Sequence, residues 1–185
     1  MVRFKEAENI FNSANQIDSI SMFQSLISVL ESEAHQRELN KNERQILTTS
    51  YDLLAQAQYN NNEQANAEHS LLKLIEWNAD YKMNEDLVSK KIIDLLNQIK
   101  RDNLAMLTVS STPEGATVLL DGRIFGVTNF ENQSVTKGKH KLEVRLDGYQ
   151  RVAREIEIAP GEMREITIQL GKALSMLNLY YKHTL

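Results

Sequence analysis

Ser111-Thr112-Pro113-Glu114-Gly115-Ala116-Thr117-Val118-Leu119-Leu120-Asp121-Gly122 decides what the second half of the chain is. Pro113 has no backbone N–H to offer a sheet ladder, so it marks the end of a strand. Ala116, Val118 and Leu120 then alternate with Thr117 and Leu119, the period of a strand with one face in the core. Asp121-Gly122 reads as a two-residue hairpin turn, because both central residues of a type I′ turn need positive φ.

The same period runs outward on both sides. Leu107 and Val109 alternate with Thr108 and Ser110. His140, Leu142, Val144 and Leu146 alternate with Lys141, Glu143, Arg145 and Asp147. Ile156 and Ile158 face away from Glu155 and Glu157, and Ile166, Ile168 and Leu170 from Glu165, Thr167 and Gln169. Such alternation puts one face in the core and one in water. Pro160-Gly161 reads as a type II turn. Short strands punctuated this regularly predict a small sandwich.

The first half is different. All seven glycines lie between Gly115 and Gly171, and both prolines are in the second half. A long stretch without either predicts helices. Residues 1–103 carry 11 Lys and Arg against 16 Asp and Glu; residues 104–185 carry 10 against 9. The predicted division is a helical domain over 1–103, a sandwich over 104–171 and a tail over 172–185, with the junction near Arg101–Met106. The fold class is α+β in two domains.

Ile17, Ile20, Phe23, Ile27, Leu30 and Ala34 recur at helical spacing, after a shorter helix around Phe4–Ser13. Asn40 with Glu43 caps a third helix, which carries Ile46, Leu47, Leu54 and Ala57 and breaks at Asn60-Asn61-Asn62. A fourth covers about Gln64–Trp77. Asn84 with Glu85 and Asp86 is expected to open a fifth, burying Leu87, Val88, Ile92, Leu95, Leu96 and Ile99 and ending in Lys100-Arg101. Ala173–Tyr181, with Leu174, Leu177 and Tyr181, reads as a short amphipathic helix.

Two resemblances follow. Tyr51, Leu54 and Ala55, then Ala67 and Leu71, make the third and fourth helices similar to one tetratricopeptide repeat. Gln58 replaces its usual aromatic, and Ala79 stands where proline ends such a repeat; a generic helical bundle is the alternative. In the second half, Ser111-Thr112-Pro113-Glu114-Gly115-Ala116, Val118, Asp121-Gly122, Gly126-Val127-Thr128, Lys137-Gly138-Lys139-His140, Leu142, Val144, Gly148-Tyr149, Gly161 and Leu170 resemble the PEGA domain. This is a small β-sandwich family of bacteria and archaea. Asn129 departs from it, where proline usually follows the Gly-x-Thr. The resemblance implies a structural signature in Pro113, Glu114, Gly115, Ala116, Asp121, Gly122, Gly126, Thr128, Gly138, Gly148 and Tyr149, none of them a nucleophile or a paired acid. Tyr149 is expected to pack its ring and give its hydroxyl a backbone partner.

Little chemistry stands outside that frame. There is no cysteine, so no thiolate catalysis or thiolate metal site. His35, His69, His140 and His183 lack metal-ligand spacing, and no phosphate loop or nucleophile elbow occurs. His140 reads as a half-buried structural histidine. The basic residues Lys137, Lys139, Lys141, Arg151, Arg154 and Arg164 interleave with Glu143, Glu155, Glu157 and Glu165, as on a solvated strand face. Trp77 and Tyr81 read as closing a core. A net charge of −4 does not call for nucleic acid, and no apolar run is long enough to span a membrane.

The expectation is therefore a non-enzymatic protein with no catalytic, metal or cofactor site. The PEGA resemblance implies a bacterial scaffold that binds other proteins, envelope, secretion or pilus components among them. The expected contact face lies on the third helix: Gln45, Thr48, Thr49, Asp52, Gln56 and Tyr59, polar and mostly uncharged. The alternative is a carbohydrate- or peptidoglycan-binding module that uses the sandwich. Met1-Val2-Arg3-Phe4-Lys5-Glu6 lacks the apolar run of a signal peptide. The expected place is the cell envelope if an export signal has been removed, and otherwise the cytoplasm.

Overall fold

The computed structural model describes residues 2–13 and 16–173, and the chain divides into two compact units, Met1–Leu104 and Ala105–Leu185. The first holds α1 (Val2–Asn12), α2 (Gln16–Gln36), α3 (Lys41–Asn60), α4 (Gln64–Trp77) and α5 (Lys90–Asn103). The second holds β1 (Leu104–Thr112) apart from its first residue, which falls on the boundary, and β2 (Thr117–Leu120), β3 (Arg123–Val127), β4 (Phe130–Thr136), β5 (Gly138–Arg145), β6 (Val152–Ile158) and β7 (Met163–Gln169). An all-helical part followed by a β part is the α+β class that the glycine distribution predicts.

The start of α3 shows how local chemistry sets a helix end. The Glu43 N–H donates to Asn40 Oδ1 at 3.0 Å, and the Asn40 N–H donates to Glu43 Oε2 at 2.8 Å. Two orphan donors are satisfied reciprocally. The Arg37 guanidinium beside Glu43, helped by the Asn40 N–H, holds that carboxyl down at about 2. Phe23 of α2, Leu47 of α3, and Leu71, Leu74 and Ile75 of α4 form the centre of the helical core. Ile92, Leu96 and Ile99 of α5 close it. Ala55 and Ala67 are fully buried, and small side chains there allow two helix backbones to approach closely.

The fifth helix corrects the sequence expectation. It begins at Lys90, not at Asn84. The Asn84 side chain accepts the Asp86 N–H at 3.0 Å, and its carbonyl accepts the N–H groups of Leu87 and Val88. These bonds make a turn, and they leave Leu87 81% exposed instead of buried.

The strands form two sheets, ordered β4-β1-β7 and β3-β2-β5-β6. β1 and β7 run parallel, with Val109 opposite Ile166. β2 pairs antiparallel with β3 and with β5, and β5 with β6. Leu107, Val109, Val118, Leu142, Val144, Ile158 and Ile166 share one core. Asp121 and Gly122 join β2 to β3 with φ of 52° and 81°, as a type I′ turn requires. Glu143, expected in water, is instead buried, at 8% exposure. Arg145 pairs with it, and Arg151 approaches at 3.5 Å. These two cations cover the carboxylate and hold it below the ordinary glutamate value.

Residues 172 and 173, assigned to the tail by sequence, belong to the sandwich. Lys172 bridges to Tyr149, and the Ala173 N–H donates to the Gly148 carbonyl at 2.9 Å. The expected helix through Leu174, Leu177 and Tyr181 lies outside the described residues.

Candidate functional site

α3 packs against α2 on one side and α4 on the other, and a groove of about 380 Å³ is lined by all three helices. α2 contributes Gln24, Ile27, Ser28 and Glu31. α3 contributes Tyr51, Leu54 and Gln58, and α4 contributes Asn66, His69, Ser70 and Lys73. Each set recurs at three- and four-residue spacing, so each is one stripe of its helix.

The polar groups of the groove are held in place. The Tyr51 hydroxyl donates to Glu31 Oε1 at 2.7 Å, and the Trp77 indole N–H donates to the same oxygen at 3.4 Å. Deeper in, the Ser70 hydroxyl donates to Gln58 Oε1 at 2.7 Å, both residues being buried. This bond gives the buried Gln58 side-chain oxygen a partner. Lys73 pairs with Glu76 along its own helix at 2.7 Å.

The expected contact run on α3 does not form one open face. Gln45 is exposed, and Thr49, Gln56 and Tyr59 are half-buried. Thr48 and Asp52 are buried, at 6% exposure each. The Thr48 hydroxyl is spent on the carbonyls of Arg44 and Gln45, each at 3.0 Å. Asp52 accepts the Tyr81 hydroxyl at 2.7 Å and the Gln56 amide at 2.8 Å. The segment after α4 thus meets α3 at Asp52, which closes that residue off. Burial pushes the Asp52 carboxyl up against the opposing effect of those two bonds. Burial also pushes the Tyr81 hydroxyl up, with Asp52 adding to it. Lys100 donates to the Tyr81 carbonyl at 2.5 Å and is pushed down by burial.

The sandwich signature stitches loops together. The Thr128 hydroxyl accepts the Ala116 N–H at 3.0 Å and shares a 2.6 Å bond with Ser111. The Ser111 hydroxyl also reaches the Pro113 carbonyl at 2.5 Å. Backbone bonds of 2.9 Å tie Gly115 and Ala116 to Thr128. Asn129 closes the corner: its Oδ1 accepts the Ser111 N–H at 2.9 Å, and its Nδ2 donates to Glu114 at 3.3 Å. Gly126 leaves room for a ring, since a Cβ there would stand 3.0 Å from Phe130. Asp121 binds the Lys141 N–H at 2.8 Å and the His140 ring at 2.7 Å, and the other His140 nitrogen meets the Thr136 carbonyl at 2.8 Å. His140 is thus a buried strut of the β2–β3 turn. Gly138 opens β5, and Gly148 precedes Tyr149, whose ring packs against the core.

The sequence reading missed the groove because it weighed apolar periodicity, and most of the groove stripes are polar. The three-and-four spacing of Gln24, Ser28 and Glu31 was the available signal. Among the described residues, no helix is long and apolar enough to cross a membrane, and no three of His, Asp and Glu gather as metal ligands would.

No curated protein matches the chain in sequence. The family model described as PEGA domain matches residues 104–174. Residues 104–174, which hold the two sheets, the β2–β3 turn and the stitched Ser111–Ala116 corner, are thus similar to the PEGA domain.

Proposed function

We propose that the chain is a non-enzymatic adaptor of the bacterial cell envelope, and that its helical unit captures a segment of a partner protein in the α2–α3–α4 groove. The groove carries this reading. It offers apolar surface from Ile27 and Leu54 beside fixed polar groups from Glu31, Gln58 and Ser70, the mixture that recognises an extended chain segment. The α3–α4 pair acts as a tetratricopeptide-like unit, and envelope, secretion or pilus proteins are the class of partner. PEGA domains are typical of extracellular and periplasmic proteins, which supports the envelope.

The sandwich serves as the accompanying module. A glycan reader stacks sugars on exposed rings. Among the described residues of the sandwich, Phe130 is buried and Phe125 and Tyr149 pack on the core. That arrangement weighs against the glycan alternative.

The test is a pull-down from native envelope extract with residues 1–104 and 105–173 separately, each first shown to be folded by circular dichroism. The helical piece should retain the partner. Retention by the sandwich piece alone contradicts the proposal and favours the glycan- or edge-binding reading.

A further inference from the structure

We infer that the groove takes a basic side chain, Arg or Lys, from the bound protein segment, with Glu31 as the group that receives its charge; this rests on the groove reading above. Glu31 is half-buried in the groove wall. Its two partners, Tyr51 and Trp77, are neutral donors, and both meet Oε1. The carboxylate is held in one orientation, its charge is not cancelled, and Oε2 is left for another donor. Among the described residues no cation pairs with Glu31. Lys73, the lysine that lines the same groove, is paired with Glu76.

The surroundings fit the rest of such a side chain. Ile27, Leu54 and the ring of Tyr51 offer apolar surface to the methylene stem, which long basic residues bury while their heads stay polar. Gln24 and Ser28 supply neutral donors and acceptors, and Asn66, whose amide N–H donates to Glu63, supplies its side-chain oxygen, for the backbone on either side. A volume of about 380 Å³ suits one or two side chains, not a globular surface. The excess of acidic residues in 1–103 attracts a cation from a distance.

Trp77 is the one tryptophan of the chain, so its indole N–H is a built-in reporter on Glu31. The full chain, labelled with nitrogen-15, is titrated with acetyl-Leu-Arg-Leu-amide and, separately, with the same peptide carrying citrulline, the neutral near-isostere of arginine. The Arg peptide should shift the indole signal and groove amides saturably, and bind at least about tenfold more tightly than the citrulline peptide. Glu31→Gln keeps an oxygen for Tyr51 and Trp77; it should remove that preference and leave citrulline binding unchanged. Asn66→Lys, at an exposed groove position, should weaken the Arg peptide by like charge even if Glu31→Gln fails to fold. Equal binding of both peptides overturns the inference and leaves the groove reading standing. No saturable groove shift with either peptide at about 10 mM overturns both. Spectra that change with protein concentration rather than with peptide assign the groove to a second copy, which also overturns the inference.

Discussion

Single residues carry much of this fold, and their chemistry explains which parts were legible. Asp121-Gly122 was readable because few residue pairs accept two successive positive φ values. Nothing lies within 4 Å of a Cβ placed on Gly122, so the cost of a side chain there is backbone strain alone. Gly122→Val should destabilise the sandwich by about 1–2 kcal/mol, read as a lower urea midpoint; an unchanged midpoint contradicts the turn. Ser50 was not legible as special. It is fully buried, and its hydroxyl has no hydrogen-bond partner among the described residues. Ser50→Ala removes an unsatisfied polar atom and should raise the stability of the helical unit by up to about 1 kcal/mol. A clear loss of stability in a thermal melt would mean that the hydroxyl has a partner. Glu143 was misread because alternation alone cannot show that Arg145 and Arg151 will cover it.

At the scale of elements, a segment was legible when its signals agreed. α4 runs Gln64–Trp77, where the asparagine run before it and its apolar stripe both place it. α5 was misplaced at its start because Asn84 with two acids serves a helix cap and a turn equally well, and here its side chain and carbonyl bond the turn that follows it. The α3 face was misjudged for a related reason: nothing local announces that Tyr81, twenty-nine residues on, will bond Asp52. That contact has a pH signature. The Asp52 carboxyl is raised in the folded state, so the folded chain keeps this proton at a pH where the unfolded chain has lost it. Its contribution is most favourable below the unfolded value and declines as pH rises towards the raised folded one. The stability of wild type minus that of Asp52→Asn should therefore fall as pH rises above about 4, the ordinary aspartate value. A difference that stays flat in urea titrations across that range contradicts the burial of a charged Asp52.

On the scale of the whole chain, the two units have separate cores, one centred on Phe23, Leu71 and Leu74 and the other on Leu107, Val118 and Leu142. The glycine distribution made this division legible, and α5 ends at Asn103 directly before β1 begins at Leu104. Limited proteolysis should first cut the exposed turn around Leu87 rather than the junction, since a protease needs a local stretch that opens. First cleavage between residues 100 and 107 contradicts that expectation. The groove belongs to the same scale: its three stripes were in the sequence, but only the packing of α3 between α2 and α4 brings them together.

The most direct measurement places a photo-crosslinking amino acid in the full chain, in turn at Gln24 and Asn66 in the groove and at Glu157 on the sandwich. Irradiation in native envelope extract should give one and the same protein adduct from Gln24 and Asn66, and none from Glu157. An adduct from Glu157 with neither groove position reacting would contradict the assignment of partner capture to the helical unit.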